Sequence, residues 1–363
     1  MPLSLKVLDL SRVLAGPLCS MILGDLGASV IKVERPGDGD ETRGWGPPFD
    51  ADGQSAYFLS VNRNKKSLAA DLRNSDDRRL VLELIADADV VLDNFLPGSL
   101  ERLGIDPERE LSTHESLVWC TISGFGPQSS RPGYDYVIQA ECGWMSITGE
   151  ADGPPMKIGV ALADVIAGKD AAIAILAAIA ARDAGPVPLR QRRIQISLAD
   201  SARASLVNVA QNVLVSGKDA ARWGNAHPNL VPYQLFDAAD RPIVIAVGSD
   251  GQWRACARAL GLLDLAEDDA LATNAGRVQQ RERVVERLAA RLREKPAQYW
   301  IDRLAAAAVP CGLVRSVAET LGDTAADPRT GVPPSVPGVV TLPAPKLDEH
   351  GASIRTLGWR AFG

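Results

Sequence analysis

The sequence predicts an α/β protein: a Rossmann-like, doubly wound large domain followed by a smaller α+β domain. Three observations carry this. Apolar runs and helical patterns alternate through the first 200 residues. Two apolar runs flank a glycine-bounded helix within about 35 residues, the signature of a βαβ unit with a right-handed crossover. The pattern then changes at about residue 224 to a stretch of turn formers.

Element by element, LKVLDL (5–10) reads as a buried strand. Gly16-Pro17 opens a helix that Gly27 closes, and ASVIKVE (28–34) is the second strand. Residues 76–87 are an amphipathic helix, 88–95 a strand, 98–103 a short helix and 117–126 a strand. A long small-residue helix follows at 165–182, then a strand at 192–198 and a helix over 199–216. Beyond GNAHPNLVPYQ (224–234), a strand at 241–248 and helices at 251–261 and 277–293 make the smaller domain, and 322–347 is an irregular return segment. The large domain is therefore expected at 1–200 plus about 325–363 and the small one at about 225–320, with linkers at 201–224 and 321–345.

Composition narrows the function classes. The chain has 363 residues and a formal net charge of −6, which disfavours a general nucleic-acid binder. Its longest apolar stretch, AAIAILAAIAA, is well short of the about 20 residues a membrane span needs. The five cysteines are scattered, with no CxxC pair, and read as reduced thiols in a cytoplasmic protein. The three histidines, His114, His227 and His350, share no ligand spacing, so no metal is expected. The first βαβ turn, SRVLAGP, has one glycine, and a pyrophosphate-binding turn normally needs several, so NAD is not expected either.

Three clusters remain as candidate chemistry. Arg35, Arg43 and the run Asn62-Arg63-Asn64-Lys65-Lys66 form either a solvated basic face or a phosphate-docking surface. Asp93-Asn94-Phe95-Leu96-Pro97-Gly98 with Arg102 is either a strand-to-helix turn or a place where a ring and a guanidinium meet a nucleotide. Asp164, in GVALADVIAGKDAA, is an N-cap or an ionised carboxylate nucleophile, and the two readings are compatible.

Seven segments in order resemble one family: KVLDLSRVLAGPLCSMILGDLGASVIKVERPGDGDETR, NRNKKSLAADL, NFLPGSLERLG, ISGFG, RPGYD, DGPPMKIGVALADVIAGKDAA and GNAHPNLVPYQ. Together they are similar to the class III CoA-transferases, which include formyl-CoA transferase and the carnitine CoA-transferase. The resemblance implies coenzyme A as an acyl-CoA substrate, a carboxylic acid acceptor, and a homodimer of interlocked chains. It makes Asp164 the nucleophile. It assigns CoA contacts to Arg12, Val13, Leu14 and Ala15 after the first strand, to Arg35, and to Ala70 and Arg73. Further contacts fall on Asn94, Phe95 and Arg102, and Tyr134 and Asp135 lie close to the thioester. The family's lysine before that tyrosine falls at about Pro132, which leaves Arg131 as the neighbouring cation. The glycine-rich loop of formyl-CoA transferase has no counterpart, which disfavours a formyl/oxalate pair. The related α-methylacyl-CoA racemases use a histidine that falls here at Tyr134. A phenol with a pKa near 10 is a poor base at neutral pH, so transfer is favoured over racemisation, and the retained Asp164 favours it over a CoA-binding protein without catalysis.

Overall fold

The computed structural model describes residues 3–363. They divide into two compact units, one of residues 3–144, 157–218 and 321–363, the other of residues 145–156 and 219–320. Compared with the division read along the chain, residues 201–218 join the larger unit and 145–156 join the smaller one.

The larger unit is built on six parallel strands: β1 (Lys6–Asp9), β2 (Ser29–Glu34), β3 (Lys65–Ala69), β4 (Val90–Asp93), β5 (Val118–Ser123) and β6 (Arg193–Ser197). Their order across the sheet is β3-β2-β1-β4-β5-β6. The order reverses between β1 and β4, the point where open doubly wound sheets bind ligands outside their carboxyl ends.

Both faces of this sheet are covered, and the pleat decides which residue goes where. Val7, Val30, Val90, Leu92, Val118 and Cys120 point to one face, against the helices Ala15–Asp25 and Leu162–Ala184. Leu8, Ile31, Val91 and Trp119 point to the other, with Val81, Leu84 and Ile85 of the helix Ser75–Ala86 and with Ile354 and Trp359 near the C-terminus. The helix Leu162–Ala184 packs closely on Ala15–Asp25 because Gly168 has no Cβ. A Cβ there would stand 2.6 Å from the Ala15 carbonyl oxygen.

The smaller unit holds an antiparallel sheet of β7 (Tyr233–Asp237), β8 (Pro242–Ala246) and β9 (Cys311–Leu313), in that order. Ile243 and Ile245 of β8 are buried with Trp253, Cys256, Leu288 and Trp300 of the helices packed on one face, and Val244 between them is exposed. The hairpin β7–β8 occupies residues 233–246.

Several expectations are corrected. The helix read over 199–216 breaks at Ser205–Leu206 into Leu198–Ala204 and Val207–Ser216. The helix read over 277–293 breaks at Gln280. β3 begins inside the run read as a basic cluster and extends to Ala69, and the two lysines at its start hide its strand pattern. The return segment is fastened by polar contacts: Asn64 Oδ1 accepts from the Thr341 and Leu342 N–H groups at 2.8 and 3.0 Å, and Arg63 Nη1 donates to Thr330 O at 2.8 Å.

Gly168→Leu should force this helix off the Ala15 carbonyl and destabilise the protein by about 1–3 kcal/mol, as overpacking does. Thermal melting of the variant checks this, and an unchanged Tm would mean the two helices separate freely.

Candidate active site

The loops after β1 and β4 meet at the reversal point. Asn94 ties them together: its Oδ1 accepts from the Arg12 N–H at 3.0 Å and its Nδ2 donates to Arg12 O at 2.7 Å. The loops open two clefts that share Arg12 and Phe95, whose guanidinium carbon and ring centroid are 5.6 Å apart. One, of about 340 Å³, is lined by Arg12, Arg35, Ala70, Arg73 and Phe95. The other, of about 230 Å³, is lined by Arg12, Val13, Leu14, Ala15, Asn94, Phe95, Arg131, Tyr134 and Asp164. The structure thus gathers most of the residues singled out in the sequence. Arg102 lines neither cleft, and its Nη2 donates to Ser99 Oγ at 2.8 Å.

Four arginines around these clefts have carboxylate neighbours. Arg12 pairs with Glu41, Arg35 with Asp38 at 3.5 Å, Arg73 with Asp71 at 3.0 Å, and Arg131 with Glu141. The Arg12–Glu41 pair is partly buried, but the other three are exposed to water, where a pair is worth about 0–1 kcal/mol, so an incoming anion can replace the partner at little cost.

Asp164 is not the N-cap that its position suggested. Ala161 is the N-cap, Asp164 lies in the first helical turn, and its carboxylate makes no hydrogen bond among the described residues. The capping is done from elsewhere. Asp135 Oδ1 accepts from the Ala163 N–H at 2.8 Å, and its Oδ2 accepts from Gln139 Nε2 at 2.6 Å. Gln139 is fully buried and its Oε1 accepts from the Ile158 N–H at 2.8 Å, so Asp135 is held rigidly.

This overturns the expectation that Asp164 is fully ionised at neutral pH. Burial, with a smaller contribution from the Asp135 charge, raises its pKa from 3.8 to about 7. The helix N-terminus favours the anion but is outweighed, because Asp135 already takes an N–H group there.

The basic run is also corrected. Arg63 is buried on Asp25 at 2.7 Å, and Lys65 is fully buried on Asp9 at 3.1 Å. Arg43 is mostly buried on Glu34 at 2.8 Å. Of the described residues of the early cluster, only Arg35 lines either of these two clefts. Buried charges need partners, and these have them within the fold.

Sequence reasoning missed Tyr57. It lies on the short helix Ala56–Leu59 against the Trp45 ring, with centroids 5.1 Å apart. Burial, followed by the nearby charges of Asp164, Asp135 and Asp40, raises its hydroxyl pKa to about 12, so it stays a hydrogen-bond donor. No local pattern marks a tyrosine more than 100 residues from Asp164. Among the described residues no group of three metal-ligating side chains is found, and no helix is long and apolar enough to cross a membrane.

Comparison with known proteins gives a consistent picture. The family model for CoA-transferase family III matches residues 4–350. A succinate–glutarate CoA-transferase of Agrobacterium fabrum is 39% identical, over 97% of this chain and 94% of its own. A succinyl-CoA:glutarate CoA-transferase of Mus musculus is 42% identical, over 88% and 73%. The crystal structure of a CAIB/BAIF family protein from Brucella suis has a TM-score of 0.82 and 40% identity, covering 97% of each chain.

The raised pKa of Asp164 has a stability consequence of definite sign. Between about 4 and 7 the folded protein holds a proton that the unfolded chain has released, so stability falls as pH rises through that interval. Asp164→Asn removes this cost. It should raise Tm at pH 8 and gain nothing near pH 4, and an equal gain at both pH values would refute the shift.

Proposed function

The chain belongs to CoA-transferase family III and moves CoA from an acyl-CoA thioester to a carboxylic acid; we propose that Asp164 is the group through which it does so. The observation that supports this reading is the isolation of its carboxylate: among the described residues it is the one acidic side chain lining its cleft, and it has no hydrogen-bond partner there. A carboxylate with a pKa near 7 is more nucleophilic than an ordinary one, yet half of it is still ionised at neutral pH.

An Asp164 oxygen attacks the donor thioester carbonyl. The C–O bond forms, the C–S bond breaks, and CoA leaves as a thiolate from a mixed anhydride. The thiolate attacks the aspartyl carbonyl, giving an aspartyl-CoA thioester and the free donor acid. The acceptor carboxylate then attacks that thioester and the thiolate leaves again. Thiolate attack on the acceptor side of the new anhydride yields acceptor-CoA and restores Asp164. No proton is gained or lost overall, and each intermediate keeps the energy of the thioester. Tyr134, in the same cleft, orients the acyl carbonyl through its hydroxyl. Asp135 fixes the first turn of the helix that carries Asp164.

CoA lies across both clefts. Arg35 and Arg73 take its phosphates, Ala70 leaves room for the nucleotide, and the Phe95 ring and Arg12 divide nucleotide from thioester. We take succinyl-CoA as donor and a short dicarboxylate as acceptor, on the names of the similar enzymes. The free cysteines fit a cytoplasmic protein. The homodimer is supported by the helix Val207–Ser216, which has no buried residue although Val207, Leu214 and Val215 are each at least 70% exposed.

Asp164→Ala should abolish transfer from succinyl-CoA to a dicarboxylate, followed by mass analysis of the CoA esters, while CoA still binds. Hydroxylamine added during turnover should modify Asp164 and no other carboxylate. Arg35→Ala and Arg73→Ala should instead raise the CoA Kd about tenfold or more, as loss of a charge-assisted phosphate contact does. The same titration of Arg102→Ala decides whether that arginine takes part. More than a few per cent of activity in Asp164→Ala would rule out the nucleophile.

Light scattering in solution should give twice the chain mass of 38.6 kDa. A monomer at micromolar concentration would leave the apolar helix without an explanation.

A further inference from the structure

Val13 is in the left-handed region, with φ +71°. A β-branched residue rarely adopts this conformation, because its side chain crowds the following carbonyl. Such a backbone persists only where the surroundings hold it from several sides. Here they do. The Val13 N–H donates to both carboxylate oxygens of Asp40, at 3.3 and 3.2 Å. Asp40 is in turn fixed by Lys32 Nζ on Oδ2 at 3.0 Å, and by the Thr42 N–H and hydroxyl on Oδ1 at 3.0 and 2.8 Å. Lys32 Nζ also donates to Ser11 O at 2.9 Å. The side chains of Lys32 and Asp40 are both fully buried. The ion pair therefore grips the loop at Ser11 and at Val13, while Asn94 grips Arg12 between them.

What this loop presents is the wall of the Asp164 cleft. Val13, Leu14 and Ala15 line it, and the N–H groups of Leu14 and Ala15 have no acceptor among the described residues. Relaxation of Val13 to an ordinary φ would turn the Val13–Leu14 peptide and move both N–H groups.

We propose that the buried Lys32–Asp40 pair is a positioning device for the transfer reaction: it holds Val13 in its left-handed conformation and so fixes the wall of the cleft that faces Asp164. Neither residue touches the reacting atoms. Both act through the backbone of residues 11–15. The inference rests on the reading of Asp164 as nucleophile.

Two variants test it. Asp40→Asn keeps the shape and the acceptor for Val13 but removes the charge that Lys32 holds. Thr42→Val is milder and removes only the hydroxyl bond to Asp40 Oδ1, which keeps the test open should the first variant fold poorly. Each is measured for Tm, for CoA Kd and for kcat per folded protein. In Asp40→Asn, kcat should fall about tenfold or more while the CoA Kd changes less than about threefold, because the phosphate contacts of Arg35 and Arg73 are untouched. Thr42→Val should show a smaller fall in kcat with the same split. A purely structural pair would lower Tm and leave kcat and Kd unchanged, and that outcome in both variants overturns the proposal. Equal losses in kcat and CoA affinity overturn it as well. Hydroxylamine labelling of the wild-type protein separates the two readings. If Asp164 is not labelled, the nucleophile is wrong, whereas labelling with unchanged kcat in the variants means that only the positioning role is wrong.

Discussion

Charged side chains enclosed at the β1–β3 edge of the large sheet set the rest of the arrangement. Asp9, Lys32 and Lys65 have no exposed surface and Asp40 almost none. Removing one partner from such a pair leaves an uncompensated buried charge, which costs about 3–5 kcal/mol. Each charge must therefore be met by a group from another segment. Lys65 donates to Asp9 Oδ2, Pro17 O and Asn62 Oδ1 at 2.8–3.1 Å, joining the start of β3 to the end of β1 and to the first helix. Lys32 joins β2 to the loop after β1 and to Asp40. Satisfying these charges fixes the path of residues 9–15, and that path forms one wall of the cleft that Asp164 lines.

The chemistry follows from where two loops converge. The strand order reverses between β1 and β4, and the loops after these strands, tied by Asn94, border a crevice that neither could make alone. The helix Leu162–Ala184 brings Asp164 to the crevice because Gly168, four residues on, lets the backbones touch at Ala15. A small residue thus sets the distance between the helix that carries Asp164 and the loop. Arg35 and Arg73 beside the crevice stay solvent-facing and loosely paired, so their carboxylate partners can be exchanged for another anion at little cost.

The environment of Asp164 balances two demands. A nucleophilic carboxylate gains reactivity as its pKa rises, but only its ionised fraction reacts. Burial and the neighbouring Asp135 bring it close to neutrality, where both conditions are met. Asp135 does this while capping the same helix, so one side chain orders the element and tunes the residue it carries. Tyr57, its hydroxyl pKa raised by burial and by the charges of Asp164 and Asp135, stays protonated near the site, a setting that suits acyl transfer better than proton abstraction from carbon.

Some of this was legible in the sequence. The alternation of β1, β2, β4 and β5, the glycine-bounded first helix and the long small-residue helix placed an α/β sheet and its ligand-binding loops. Backbone periodicity is a local property that each segment declares for itself. The segments resembling CoA-transferases picked out Asp164 and the residues of both clefts. What could not be read was the fate of each charge. Arg35 and Arg63 look alike in a basic run, yet Arg35 faces a cleft and Arg63 is buried on Asp25, 38 residues away. Asp9 and Lys65 meet across 56 residues, and Asp135 and Ala163 across 28. The sequence by itself determined the fold class and singled out Asp164 as the candidate nucleophile. Only the tertiary structure decided which charges are interior, the strained form of Val13 and the raised pKa of Asp164, because each depends on desolvation and on partners that folding brings together.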